Sequence, residues 1–468
     1  MNCKLTAEDE RKIKRKLHLI KKLYYSNEAK KLFWNYNAVT LIDTITNKII
    51  HENAKNIREY WEKNTEWEKY PLFLYINFPF CTSICKYCQY SKIVLNEKIN
   101  TSKYIDNLIK NMEYFKRVFK NSTFSRIYVG GGTPSLMSSQ EIERLFGYVF
   151  NNFNIDKNTQ ITFEANPASL TKEKVETLKR IGFNRISLGI QSTDKRVLKT
   201  ENRLNQDFEK TKKISKEIID NNFIFNTDLI MGLKEDTPEA FLNSFKNAIS
   251  LHPDLITLYK LRPTKAYAKC DDSTETLYNH HHFILNSTFG EIERLAELNN
   301  YKKVDGPESG DGFFYVKKQS IDNLRNIRPL ETYGFEPIST FGVGAFAVSG
   351  VGYSLLYRNN SDLTFNSENE SYEVLETDST PASLRYILDT ISRNYSLDIN
   401  KFNEYFNFDI YIKYGVEIKF LERMGKIVKT KTKINFSFNS LKEKFFYMLL
   451  FLENGQLLDL IKNEKERP

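Results

Sequence analysis

From Pro71 onward, short apolar runs alternate with longer stretches whose apolar positions recur at three- and four-residue intervals, the marks of buried strands and amphipathic helices. The runs LFLYINF (72–78), SRIYVG (125–130), TQITFE (159–164), RISLGI (185–190), FIFNTDLI (223–230) and DLITLYK (254–260) predict strands. Helices are predicted between them at about 101–119, 138–151, 171–181, 205–220 and 237–250. Within TPSLMSSQEIERLF, Ser138 or Ser139 is placed to cap a helix whose first turn carries Glu141. Each helix is long enough to return the chain to the same sheet edge, so neighbouring strands should run parallel. Six such units predict an α/β fold, an open partial (β/α)6 TIM-like barrel, over residues 71–262.

The flanks read differently. Residues 1–70 are polar, aromatic and lysine-rich, and the spacing in EDERKIKRKLHLIKKLYY and NAKNIREYWEKNTEWEKY predicts an N-terminal helical extension suited to a lid or docking arm. After the barrel, RPTKAYAKCDDSTETLYNHHH leads to a predicted helix at about 281–299. The glycine-rich STFGVGAFAVSGVGYSLLYRNN predicts strands and a tight turn, so 263–379 is expected to extend the barrel and supply substrate-side elements. Residues 380–468 predict a mostly helical, winged-helix-like C-terminal module with a short hairpin.

Composition alters this picture little: 468 residues with 41% hydrophobic and 27% charged side chains are ordinary for a soluble globular chain. No apolar run approaches the roughly 18 residues of a membrane span. Charges occupy the N-terminus where a signal peptide would carry its apolar stretch, so a cytoplasmic location without a membrane span is expected. The formal charge of +9 is modest for this length and suits a solvated surface with, at most, an anionic ligand; no nucleic-acid partner is expected.

Cysteine usage changes more. Of five cysteines, three fall in YINFPFCTSICKYCQYSK, from Tyr75 to Lys92: Cys81, Cys85 and Cys88. Cys3 and Cys270 lie far away and read as ordinary thiols, not as parts of a disulfide framework. Zinc binds clustered cysteines, but a closed structural site takes four ligands, and none of the six histidines lies near in sequence. Three cysteines with no fourth suit a [4Fe-4S] cluster in which one iron lacks a protein ligand, although four thiolates are usual. The trio follows the first predicted strand, hence a βα loop at the C-terminal face, where barrel enzymes keep their chemistry. The run His280, His281, His282 is no metal site, because successive helical residues point about 100° apart.

With C-x3-C-x2-C spacing, Tyr87 before the last cysteine and a position after the first strand, this stretch resembles the signature of the radical S-adenosylmethionine superfamily. LYINFPFC resembles the lead-in of the oxygen-independent coproporphyrinogen III oxidase-like family, and YVGGGTPSLM, ITFEANPASLT, NRISLGIQSTDKRVLKTENR and NTDLIMGL follow in that family's order. The resemblance runs from about Pro71 to Lys260, and more loosely through GVGAFAVS to the C-terminal module. Read physically, Gly130, Gly131 and Gly132 follow a strand, permit close backbone approach and leave N–H and C=O groups to meet a ligand. Glu164 would be an unpaired charge if it faced the barrel interior without a partner.

The resemblance implies that Cys81, Cys85 and Cys88 hold a [4Fe-4S] cluster whose open iron chelates S-adenosyl-L-methionine. It places Gly131, Gly132 and Thr133 at the amino end of the methionine moiety, Glu164 toward the ligand ammonium or a nearby arginine, and Gln191, Arg203 and Asp228 at the ribose or carboxylate. By the same resemblance Tyr75 is expected near the sulfonium, and Tyr87 in the same cofactor-binding set. The implied chemistry is reductive cleavage of the C–S bond to methionine and a 5′-deoxyadenosyl radical that abstracts hydrogen from a small-molecule substrate, with a tetrapyrrole or haem as candidates. A flavodoxin or ferredoxin is the implied reducing partner. Three departures separate this chain from the decarboxylating oxidases: Tyr90 stands where a fourth cysteine follows, Asn77 replaces the lead-in histidine, and GLKEDT occupies 232–237. An aromatic at Tyr90 is usual in branches that include haem chaperones and C-methyltransferases of heteroaromatic metabolites that use two cofactor molecules, and both remain alternatives.

Overall fold

The computed structural model describes residues 5–24, 49–63, 72–203, 206–261, 267, 274–304, 312–320, 340–351, 354–357, 363–366, 370–376, 383–384, 386–388, 390–391, 396–438 and 441–462. Cys3 and Cys270 lie outside them. All six predicted barrel strands form: β1 (Leu72–Phe78), β2 (Thr123–Gly131), β3 (Asn154–Ala165), β4 (Arg185–Gln191), β5 (Ile224–Met231) and β6 (Leu255–Lys260). They pair in parallel in that order. The crossover helices are α1 (Thr101–Phe115), α2 (Ser139–Asn152), α3 (Lys172–Arg180), α4 (Phe208–Asp220) and α5 (Pro238–Ser250).

Every residue of β1 is buried, as a strand covered on both faces requires. Alternate side chains therefore have different fates. Leu72, Leu74, Ile76 and Phe78 join the core beneath the helices, while Phe73 and Tyr75 form a separate cluster with Tyr128 on the other face. The choice between two helix caps resolves to Ser138, which caps α2 in a reciprocal capping box with Glu141.

The glycine-rich segment forms strands, as its pattern predicts, and one of them has a role that pattern does not reveal. The strand β7 (Thr340–Val343) lies parallel to β1, adding a seventh parallel strand. Gly344 follows at φ +119, where a Cβ would stand 2.6 Å from the Asn77 carbonyl oxygen; only glycine lets the two loops approach so closely. Among the described residues, antiparallel strands continue the sheet on both sides to thirteen strands, with Gly312–Lys317 and Tyr301–Val304 beyond β6. On the other side a strand at Ile49–Asn53 pairs with Ser371–Glu376, although the spacing of residues 1–70 predicts only helices there. The helix expected at 281–299 begins earlier and runs Thr274–Leu298, α6. Its buried stripe includes Leu277, His281, Ile284, Thr288, Ile292 and Ala296, so polar residues interrupt the apolar signal over the first turns.

A second core gathers the C-terminal helices Ile399–Phe406 and Ile410–Arg423 with a hairpin of Ile427–Lys429 and Lys433–Phe436. The amphipathic helix Ala7–Tyr24 contributes Ile13, Ile20 and Leu23 to this same core. Among the described residues no helix is long and apolar enough to cross a membrane.

Candidate active site

A cavity of about 1050 Å³ opens at the C-terminal ends of the parallel strands, where the barrel pattern predicts chemistry. Its wall includes the three motif cysteines and Tyr87 from the loop after β1, and Gly131, Gly132 and Thr133 after β2. Glu164, Gln191, Arg203 and Asp228 reach the same space from β3, the end of β4, the β4–α4 connection and β5. Tyr75 alone of the expected residues does not line it. Its register partner is Tyr128, on which it stacks at 6.2 Å, and Asn77 Nδ2 donates to its hydroxyl at 3.5 Å.

The cysteine loop is tied at several points. Phe80–Cys81 pairs in parallel with Ile93–Val94, Cys88 N–H donates to the Cys85 carbonyl at 3.1 Å, and Lys92 Nζ donates to the Cys88 and Tyr90 carbonyls at 2.6 and 2.9 Å. Lys86 N–H donates to the Glu201 carbonyl at 3.1 Å and Asn202 Nδ2 to the Ile84 carbonyl at 2.8 Å, docking the loop on the segment that carries Arg203. All three thiols are free and half-buried. Burial pushes the Cys81 thiol up, while a hydrogen bond from Thr133 Oγ1 at 3.5 Å pulls the other way. Among the described residues no three or more His, Cys, Asp or Glu side chains are grouped to hold a single metal ion. A polynuclear cluster asks for something else, thiolates that each reach a different metal atom, and three free thiols on one wound loop suit that donor chemistry.

The glycine block serves the protein differently from its sequence reading. Gly132 and Thr133 N–H groups donate to the Phe78 and Phe80 carbonyls at 2.8 Å each, and the Gly131 N–H serves the Glu164 carboxylate. These amides are therefore engaged by the chain, which corrects the expectation that they are left for a ligand. The need for glycine survives: a Cβ on Gly132 would meet the Phe80 carbonyl oxygen at 2.5 Å, and Gly131 has φ +117.

Arg203 knits the opposite wall. Its Nη1 donates to the Tyr87 hydroxyl at 2.9 Å and lies 3.7 Å from Cys85 Sγ, Nη2 donates to the Gly189 carbonyl, and Nε donates to Gln206 Oε1 at 2.8 Å. Burial pulls the guanidinium down, but the facing Tyr87 and Cys85 outweigh it and hold it above its ordinary value. Burial likewise pushes the Tyr87 hydroxyl far up, so it stays protonated beside the thiols. Gln191 sits at φ 66, in the left-handed region unusual for a side-chain-bearing residue, and its buried Oε1 has no hydrogen-bond partner. An unfilled acceptor on the cavity wall fits a donor group of a bound ligand.

The floor holds two carboxylates. Tyr128 OH donates to Glu164 Oε1 at 2.5 Å; Ser187 Oγ and Asn226 Nδ2 donate to the two Asp228 oxygens at 2.8 Å each. Burial pushes Glu164 up to about 7, with the Tyr128 hydrogen bond opposing and nearby Asp228 adding to the rise. Burial raises Asp228 too.

Sequence reasoning missed Tyr128, Ser187, Gln206, Asn226 and Tyr259. A signal existed for three of them, since Tyr128, Ser187 and Asn226 stand two residues before Gly130, Gly189 and Asp228 and so share their strand face. Of the departures, Tyr90 is 66% exposed at the cavity wall, whereas Asn77 is buried with Oδ1 unpartnered. The histidine run does not converge: His280 Nε2 lies 3.2 Å from the Leu233 carbonyl, and His281 packs where a Gly232 Cβ would be 2.7 Å away. Burial pushes His281 down to about 3, leaving it neutral.

A half-barrel with three thiols at its mouth and half-buried carboxylates at its strand ends defines a class. Residues 75–248 match the Radical SAM superfamily, and the chain carries a radical SAM domain. Within that class it is similar to the oxygen-independent coproporphyrinogen III oxidase of Salmonella typhimurium, 28% identical over 60% of this chain and 62% of that protein. It is also similar to the heme chaperone HemW of Buchnera aphidicola subsp. Acyrthosiphon pisum, 32% identical over 50% of this chain and 61% of that one. The chain thus spans about three fifths of the length of these relatives. Among solved structures, the coproporphyrinogen III oxidase HemN from Escherichia coli, described as a radical SAM enzyme, shares the fold at a TM-score of 0.66, with 19% identity over 85% of this chain and 93% of that chain.

Proposed function

We propose that the protein is a coproporphyrinogen III oxidase-like radical SAM enzyme in which Cys81, Cys85 and Cys88 hold a [4Fe-4S] cluster and the cavity binds S-adenosylmethionine. One observation carries the reading: a single cavity unites the three thiols with Glu164, Gln191, Arg203 and Asp228, residues drawn from four different strand ends or connections. When bound, the cluster and nucleotide supply one-electron cleavage of a sulfonium and a radical able to take hydrogen from a substrate carbon. The chain supplies the rest. Arg203 holds Tyr87 and the Cys85 side of the loop in place, Glu164 and Asp228 offer negative charge to a cationic ligand, and Gln191 offers its unfilled acceptor.

An anionic tetrapyrrole is the favoured substrate. The oxidases among the relatives support it, as do Lys195, Lys199 and Lys210 on the cavity wall, which suit carboxylate side chains. The heme chaperone relative and Tyr90 support a second reading, haem carriage with a retained cluster.

Anaerobic reconstitution followed by assays of iron, 5′-deoxyadenosine and haem retention tests both. The enzyme reading expects about four irons per chain and sustained 5′-deoxyadenosine formation with a reduced flavodoxin or ferredoxin and a porphyrinogen. Stable haem binding without sustained cleavage would favour the chaperone, added S-adenosylhomocysteine would mark a methyltransferase, and zinc in place of iron would overturn the assignment.

A further inference from the structure

The cavity floor carries more charge than its hydrogen bonds join. Arg185 opens β4, is 3% exposed inside the barrel, and its Nε has no hydrogen-bond partner. A cation so placed is strongly disfavoured unless opposite charge faces it. Its register partners are Thr162 on β3 and Ile224 on β5, so Glu164 and Asp228 stand two and four residues nearer the cavity on the same strand faces, with Tyr128 of β2 in its own row. Tyr128, Glu164, Asp228 and, from β6, Tyr259 are the titratable groups that bear on its charge. Tyr75 from β1 stacks on Tyr128, and Arg126 lies two register rows lower, opposite Gln160. With both acids ionised, two carboxylates against one guanidinium leave one negative charge in excess, and both reach the cavity wall while Arg185 stays behind them.

We propose that Arg185 is a positioning residue that shifts Glu164 and Asp228 toward their carboxylate forms, so that the pair, once ionised, receives a cationic group of the ligand, a sulfonium or ammonium. The inference rests on the reading of the cavity as a site for S-adenosylmethionine. Without the guanidinium the two neighbouring acids are harder to ionise together, so one of them keeps its proton to higher pH. Burial already raises both acids, and Arg185 is among the groups that pull each of them down.

The test is equilibrium binding of S-adenosylmethionine to the reconstituted full chain at about pH 7 and about pH 9, for the wild type, Arg185→Met and Arg185→Lys. Arg185→Met should bind roughly tenfold more weakly at the lower pH and regain most of its affinity at the higher. Arg185→Lys, which keeps the charge, should stay within about threefold of the wild type at both. Equal binding by Arg185→Met and the wild type overturns the proposal. So does a loss of the same size at both pH values, because deprotonation does not relieve a merely structural defect. If Arg185→Met does not fold, Arg185→Gln is held to the same outcomes.

Thermal unfolding of the cluster-free chain against pH gives a reading that needs no cofactor. A carboxyl whose folded value is raised binds more protons folded than unfolded, so its contribution to stability falls as pH rises from the ordinary carboxylate range to about 7. In the charge-free variants that fall should extend to higher pH, and an unchanged profile overturns the proposal. If the wild type takes up neither iron nor S-adenosylmethionine, the functional reading fails, and the unfolding profile still decides the role of Arg185.

Discussion

Two of the places where charge is buried among the described residues are built differently. Where the helix Ala7–Tyr24 meets the C-terminal module, Lys16 and Glu417, with side chains 4% and 2% exposed, meet at 2.7 Å. Lys16 Nζ also donates to the Leu450 carbonyl at 2.8 Å, and Lys12 approaches Glu417 at 3.4 Å from the surface. Glu417 Oε2 is left over, but the ion pair itself is closed, one charge against another in contact. At the cavity floor, Glu164 and Asp228 outnumber Arg185, and Arg185 Nε and Gln191 Oε1 have no partners. Contact between opposite charges joins two segments; unfilled groups and excess charge beside a cavity are an arrangement completed by something outside the chain.

That contrast has consequences that can be measured. Cys85→Ala should have the largest effect, abolishing the brown chromophore and 5′-deoxyadenosine formation; if iron analysis and product assay find both retained, the cavity is not the cluster site. Glu417→Ala leaves Lys16 buried without its anion and should cost about 3–5 kcal/mol in denaturant unfolding, with iron uptake by the folded protein unchanged. Replacing Lys16 and Glu417 together by methionine should recover most of that loss, as expected for a pair that serves packing alone. Arg203→Ala should weaken S-adenosylmethionine binding roughly a hundredfold while leaving the chromophore, since its charge-assisted contacts span Tyr87, Gly189 and Gln206. Calorimetric binding at wild-type strength would remove Arg203 from the site.

The last two effects are smaller. Glu164 becomes anionic as pH rises through about 7, so wild-type affinity for the cationic nucleotide should rise through that window by up to about tenfold per pH unit on its acid side. Glu164→Gln should bind more weakly and lose this dependence; a wild-type profile that is flat there would show that the carboxylate does not face the ligand. In Gly189→Ala the new Cβ would lie 2.7 Å from Gln191 Nε2, so a shift of Gln191 and a loss of about threefold in affinity are expected.

The two regions were unequally legible. Six strands and five crossover helices follow from periodicity, because a strand covered on both faces is apolar throughout and an amphipathic crossover shows its stripe. The cysteine trio was legible from spacing and from its place after β1, and the strand-end residues from resemblance. Less was readable where a signal is polar or shared between segments. The first turns of α6 hide behind His280, His281 and His282, and Ile49–Asn53 is a strand because Ser371–Glu376 lies beside it, a partner more than three hundred residues away. The glycine block shows how a right residue type can carry an incomplete reason: close approach is needed, yet its amides bond to the cysteine-bearing segment.

Local pattern was thus enough for the parallel half-barrel, the strand ends where the cavity opens and the clustered cysteines on its wall, since period and spacing are properties of neighbouring residues. It could not say that Arg185 stands below Glu164 and Asp228 on neighbouring strands, that Tyr75 sits beside Tyr128 away from the cavity wall, or that the N-terminal helix shares a core with the C-terminal module. Those facts depend on strand register and on packing between distant segments, where one residue of slip would turn each side chain to the opposite face.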